Sequence, residues 1–347
     1  MNLAQTLGLA AALIALGTWL THRISLLSRL NIPPAVTAGL GYCFATTLLR
    51  QMTGVEWAID LSVQGIWMGV LFSSIGLSAS ARTLKRGGIS TVWLLALSTV
   101  FCVIQNTLGI GIAKFLGMHP LMGVMAGSVT LVGGPATGMA FAPLFEKAGL
   151  VSADLIAMTS ATFGIVSGAI LGGPLAAGLL RHRTKALQHR GQKSNQASDF
   201  ATPDLTSSIV RGTPESTYLL LITVIGLGTW VSRLFEKSGL ILPGYIGGMI
   251  LAVLARGLDD LKPDHRSWIH LESAEKAGEF ALSFFLVTAL MNLKLWNLAS
   301  LALPLTAILI VQVLAVLAFS AWVIDRLMGR NYESAVISAG FVGFALG

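Results

Sequence analysis

The chain has 347 residues, of which 54% are hydrophobic and 11% charged, against about 25% charged residues in an ordinary soluble domain. So little charge cannot cover the surface of a water-soluble globule. Charge-free runs far longer than the roughly 10-residue segments of barrel strands argue against a transmembrane barrel as well. An all-α polytopic membrane protein remains, and its net charge of +7 belongs to loops facing an anionic lipid leaflet rather than to a nucleic-acid partner.

In chain order the charge-free runs are Met1–Thr21, Leu30–Leu49, Leu61–Ala81, Gly87–Ala113, Phe115–Phe145, Leu155–Leu180, Ser216–Ser232, Ser238–Ala255, Phe280–Leu293, Leu295–Ile324 and Ser334–Gly347. Crossing the hydrocarbon layer takes about 20 predominantly apolar residues in a helix, and most runs meet that length. The first has no Lys or Arg before its apolar core and is followed at once by His22 and Arg23. It therefore reads as a retained helix with an external N-terminus, not a cleaved signal.

The run Phe115–Phe145 carries GSVTLVGGPATG at 127–138. Glycines and a proline at that density unwind a helix. The segment about 119–145 thus reads as a re-entrant hairpin, with its broken tip lodged against protein or a wet cavity. The glycine-punctuated 334–347 reads as a second hairpin, incomplete where the chain stops. This leaves five spans before the polar segment 181–215 and four after it. With the N-terminus outside, all basic residues but Arg50, Lys114, Lys147, Arg233, Lys237 and Lys294 face the cytoplasm, as the positive-inside rule requires. The segment 181–215, rich in Ser, Thr, Gln and Pro, reads as a flexible cytoplasmic linker.

The two sides of that linker resemble each other. LGTWL (16–20) recurs as LGTWV (227–231), IPPAV (32–36) as LPGYI (242–246) and LFSSIGL (71–77) as FFLVTAL (284–290). Gln105 pairs with Gln312, and Ala126-Gly127 with Ala339-Gly340, all at an offset of about 210 residues. Residues 1–180 and 216–347 therefore read as two repeats. An odd number of spans per repeat inverts the second, which is the architecture of secondary transporters whose sites lie where broken helices of both halves meet.

No Asp, Glu, Lys or Arg sits near the middle of a run, and the six histidines fall in loops or at their edges. No hydroxyl or thiol is paired with a base, so an enzyme is not expected, nor a cofactor. Cys43 and Cys102 lie in apolar runs and read as packing residues. The interior offers dipoles instead. Ser128, Thr130, Gly133, Gly134, Thr137 and Gly138 supply hydroxyls and bare backbone at the first tip. Gln105 and Asn106 come from the run before it, Thr159, Ser160 and Thr162 from the run after, and Gln312, Gly340 and Gly343 from the second half. Oxygens near Gly133, Gly134 and Thr162 suit Na⁺, and freed N–H groups at a helix start suit a carboxylate. Gly164, Gly168, Gly172 and Gly173 permit close helix approach.

Several stretches resemble the bacterial sodium/glutamate symporter family: QNTLGIG (105–111), PLMGVMAGSVTLVGG (120–134), ATFGIVSGAILGGP (161–174), ALMNLKLWNLASLALP (289–304), LALPLTAILIVQ (301–312) and LMGRNYESAVISAG (327–340). The resemblance covers almost the whole chain. It implies an inner-membrane carrier with external termini, two inverted five-span repeats and paired hairpins, coupling uptake of L-glutamate to Na⁺ as a homodimer. The family pattern Gly-Gly-His-Gly-Thr-Gly at the first tip stands here as Gly133-Gly134-Pro135-Ala136-Thr137-Gly138, and the histidine of the second tip is replaced by Phe341. Another organic anion, such as a hydroxycarboxylate, therefore stays open as substrate. The family continues through a tenth span, so residues 1–347 alone are expected to act as an incomplete member that does not transport, or as a non-transporting membrane fragment.

Overall fold

The computed structural model describes residues 1–25, 27, 32–54, 59–81, 88–188, 212–238, 243–261, 267–293 and 301–347. Among the described residues there are helices and no strands. The helices are α1 (Leu3–Arg23), α2 (Pro34–Thr53), α3 (Gln64–Ser78), α4 (Gly88–Phe115), α5 (Pro120–Val124), α6 (Gly134–Lys147) and α7 (Ala153–Gln188). After them come α8 (Pro214–Lys237), α9 (Ile246–Asp260), α10 (Leu271–Met291), α11 (Ala302–Leu327) and α12 (Tyr332–Leu346). By length and composition, α1, α4, α7, α8 and α11 each hold a stretch that suffices to cross a membrane. Residues 189–211, most of the linker expected at 181–215, lie outside the described residues, as do Arg29, Arg82, Lys85, Arg86, Lys262, Arg266 and Lys294.

Local chemistry fixes the helix ends. Asn2 and Gln5 form a reciprocal capping box at the start of α1. Pro34 opens α2, where its missing N–H is harmless, and Gly54 closes it at φ 70°. Thr213 caps α8 through Ser216 N. The two short helices that follow α4 and α11 are both capped by side chains, of His119 and Asn331. Leu121 N donates to His119 Nδ1 at 3.3 Å, and Ser334 N donates to Asn331 Oδ1 at 2.7 Å.

The described chain forms two compact units, each drawing on both sides of the linker. One comprises Met1–Met68, Ile89–Gly173 and Glu279–Gly347; the other comprises Gly69–Gly88 and Pro174–Gly278. In the first, α1 packs on α2 through Gly17, where a Cβ would lie within 3 Å of the Pro34 carbonyl. Cys43 is buried there, its thiol donating to the Leu293 carbonyl at 3.1 Å. Phe101, Phe319 and Phe341 gather α4, α11 and α12, with ring centroids 4.7 to 5.7 Å apart.

The second unit is built on Leu77, Leu221, Val224, Ala252, Ile269 and Ala274. Here α8 crosses α9 at Gly228, where a Cβ would sit 2.3 Å from Gly248 N. Gly17 and Gly228 are the glycines of the repeated LGTW motif, so the motif does the same packing work in both copies. Gly228→Val is therefore expected to destabilise the protein by about 3 kcal/mol, the upper end of what overpacking costs, since backbone cannot yield as a side chain does. Loss of a monodisperse peak in detergent would register it.

Candidate functional site

The expected break in 127–138 is present in the backbone. After α5 the chain forms a π-helical turn, Met125–Val129, in which Gly127 leaves helical geometry at φ −102°, ψ −134°. A turn at Val132–Gly133 follows, and Gly134 at φ 73° starts α6 with no side-chain cap. Gly134 has open space where a Cβ would be, so its positive φ alone calls for glycine. The first-turn N–H groups of α6 are thus left to other partners.

The break is held against α4 by one side chain. Asn106 Oδ1 accepts from Ser128 N at 3.2 Å and from Ser128 Oγ at 2.9 Å. One turn before the break, Gly109 and Gly123 bring α4 and α5 into backbone contact, and a Cβ on either would overlap the other's carbonyl group. Beside Asn106, Gln105 donates its Nε2 to the Ala345 carbonyl of α12 at 3.2 Å. Gln312 of α11 donates its Nε2 to the Gln105 carbonyl at 2.7 Å. Both glutamines are fully buried, and the Oε1 of each has no hydrogen-bond partner. A Cβ on Gly127 would stand 3.0 Å from Asn106 Oδ1 and 3.5 Å from Gln312 Nε2. The structure therefore brings Gln105, Asn106, Ser128 and Gln312 into one uncharged polar layer.

The other expected residues lie differently. Thr130 is buried, its Oγ1 3.6 Å from Met125 Sδ, and Gly138 packs directly on it. Gly133 packs on Thr137. Thr162 Oγ1 donates to the Met158 carbonyl at 2.9 Å. Ser160 is buried with its hydroxyl unpartnered, and Thr159 is half-buried on the same helix. Gly340 and Gly343 lie inside an unbroken helix, both exposed, with the Gly343 backbone also close to Gly168 of α7. Gly164, Gly168 and Gly172 form the face of α7 that approaches Leu346, Gly343 and Ala339 of α12. One contributor escapes the sequence reading, the Ala345 carbonyl, a backbone atom with no side-chain signature. The sequence marks Gly127 as part of the break and of the repeated Ala-Gly pair, but not as a site residue.

Among the described residues no three His, Cys, Asp or Glu side chains gather as metal ligands. The layer can offer oxygens to a hard cation, and the uncapped start of α6 can offer N–H groups to an anion.

Fold and site together define an all-α, multi-pass membrane protein with an uncharged polar interior at a broken helix. The chain matches the sodium/glutamate symporter family over residues 1–347 and belongs to it. It is similar to the sodium/glutamate symporter of Escherichia coli K12, 36% identical over 350 residues that cover 100% of this chain and 86% of that one. It is also similar to that of Haemophilus influenzae Rd, 33% identical over 345 residues that cover 99% and 85%. Comparison with solved structures returns no match.

Proposed function

We propose that this protein carries L-glutamate across a bacterial inner membrane coupled to Na⁺, working as a secondary transporter and not as an enzyme. The observation that carries the reading is the buried layer of Gln105, Asn106, Ser128 and Gln312 at a helix break, in a chain whose relatives bear the name sodium/glutamate symporter. In this reading the N-terminus is periplasmic. Residues 1–180 and 216–347 are inverted repeats, 119–145 and 334–347 are re-entrant segments, and the carrier is a homodimer. The positive-inside pattern, the repeated LGTW and Gln positions and the broken backbone at Gly127 and Gly134 support it.

Coupling follows from the absence of fixed charge. An uncharged site of low dielectric binds a lone anion or a lone cation poorly, whereas a pair compensates itself. The substrate carboxylate meets the N–H groups at the start of α6, which no side chain caps. Na⁺ meets oxygens near Gly133, Gly134 and Thr162, where a hydroxyl that donates to Met158 keeps lone pairs for a ligand. The hydroxyls of Thr137 and Thr159, both half-buried, line the route.

Equilibrium binding of labelled glutamate to the purified chain in lipid nanodiscs tests this. Replacing choline by Na⁺ is expected to raise glutamate affinity about tenfold or more, and glutamate to raise Na⁺ affinity equally. Absent or sodium-independent binding would overturn the reading. Sodium-dependent binding of citrate or malate with glutamate inert would turn it to a hydroxycarboxylate carrier, an outcome that the Pro135 and Phe341 tips leave room for.

A further inference from the structure

We propose that Gln105 and Gln312 form a cation site of their own beside the broken helix, distinct from the oxygens near Gly133, Gly134 and Thr162 and filled by a second Na⁺. Both side chains are fully buried, and each spends its Nε2 on a backbone carbonyl, of Ala345 and of Gln105 respectively. Neither amide can be turned over to swap oxygen and nitrogen, because both partners are acceptors. Two carboxamide oxygens are thereby left without donors inside the protein. Buried acceptors ordinarily find a partner, and a set of oxygens without a donor is what a hard cation needs.

The surroundings favour an ion over bulk water. Phe101 lies one turn from Gln105, and Phe341 one turn from Ala345. With Phe319, two turns beyond Gln312, their rings pack on one another between the same three helices. One oxygen comes from α4 and one from α11, while the Gln105 amide also holds α12. An ion there fastens three helices that belong to opposite sides of the linker. No carboxylate in the pair balances its charge, so occupancy depends on the anion bound at the tip; in this respect the site rests on the sodium-coupled reading above.

The test is the sodium dependence of glutamate binding, with choline keeping ionic strength constant. Wild type is expected to respond sigmoidally, with a Hill coefficient of about 2. Gln312→Leu and Gln105→Leu are expected to flatten it to about 1 and to raise half-saturating Na⁺ about tenfold. Gln312→Glu keeps an oxygen for the ion, and when protonated it donates to the Gln105 carbonyl. It is expected to retain sodium binding, with half-saturation falling as pH rises and the carboxyl ionises. That response keeps the proposal testable where the leucine variants fail to fold. A wild-type Hill coefficient of about 1, leucine variants with wild-type sodium curves, or a pH-independent sodium response in Gln312→Glu would each overturn the second site. Wild type that binds glutamate without regard to Na⁺ would instead remove the transport reading itself.

Discussion

Gly123→Val is expected to yield no correctly folded protein. At this position an added Cβ would lie 2.0 Å from the Gly109 carbonyl carbon and 2.5 Å from Ile110 N, both backbone atoms of α4. Side-chain clashes relax through rotamers, but backbone against backbone does not, so α5 must leave α4 and carry the π-helical turn with it. The cost is about 3 kcal/mol, the upper end of what overpacking costs and a large share of the stability of a marginal domain. Gly111→Ala, on the exposed face of α4 with nothing within 4 Å, is the control. It is expected to be neutral or stabilising by up to about 1 kcal/mol through helix propensity. Thermal unfolding in detergent separates the two: an aggregated Gly123→Val beside a wild-type-like Gly111→Ala is the expected pair. A Gly123→Val protein that melts at the wild-type temperature would show that α4 and α5 do not cross there.

Asn106→Leu is expected to fold and to lose substrate binding. Its Oδ1 accepts both the backbone and the hydroxyl protons of Ser128, the residue directly after the break. Leucine fills similar volume but leaves the half-buried Ser128 N–H without its acceptor, a cost of about 1 kcal/mol or more. The turn then no longer has one preferred geometry, and glutamate affinity at saturating Na⁺ is expected to fall about tenfold to a hundredfold. Ser128→Ala removes only the hydroxyl bond and is expected to cost less, about tenfold at most. Equal affinities for wild type and Asn106→Leu would separate the break from binding.

Much of this was legible in the sequence because membranes restrict the alphabet. In an apolar run, an amide such as Gln105 or Gln312 must find a partner, so its presence marks an interior face. Four glycines and a proline within 127–138 marked the break for the same reason. The LGTW repeat pointed to symmetry, and its glycines turned out to be crossing points at Gly17 and Gly228. What composition cannot report is which glycine is a hinge and which a contact. Gly127 departs from helical geometry, Gly123 is a packing surface, and Gly340 sits in an ordinary helix with open space around it. Each role is set by what the rest of the chain places opposite. The Ala345 carbonyl was invisible for a similar reason: every residue has one, and only the approach of Gln105 singles it out.

Whether water reaches the break at Gly133–Gly134 is the most direct test. In a background with Cys43→Ala and Cys102→Ala, single variants Ala136→Cys and Thr137→Cys place a thiol on the half-buried first turn of α6. A membrane-impermeant maleimide is expected to label both in lipid vesicles, with Na⁺ and glutamate together protecting them and neither alone doing so fully. Thiols that react with a lipid-soluble reagent but never with the aqueous one would make this segment a lipid-facing crossing, and would contradict a transport site built on a broken helix.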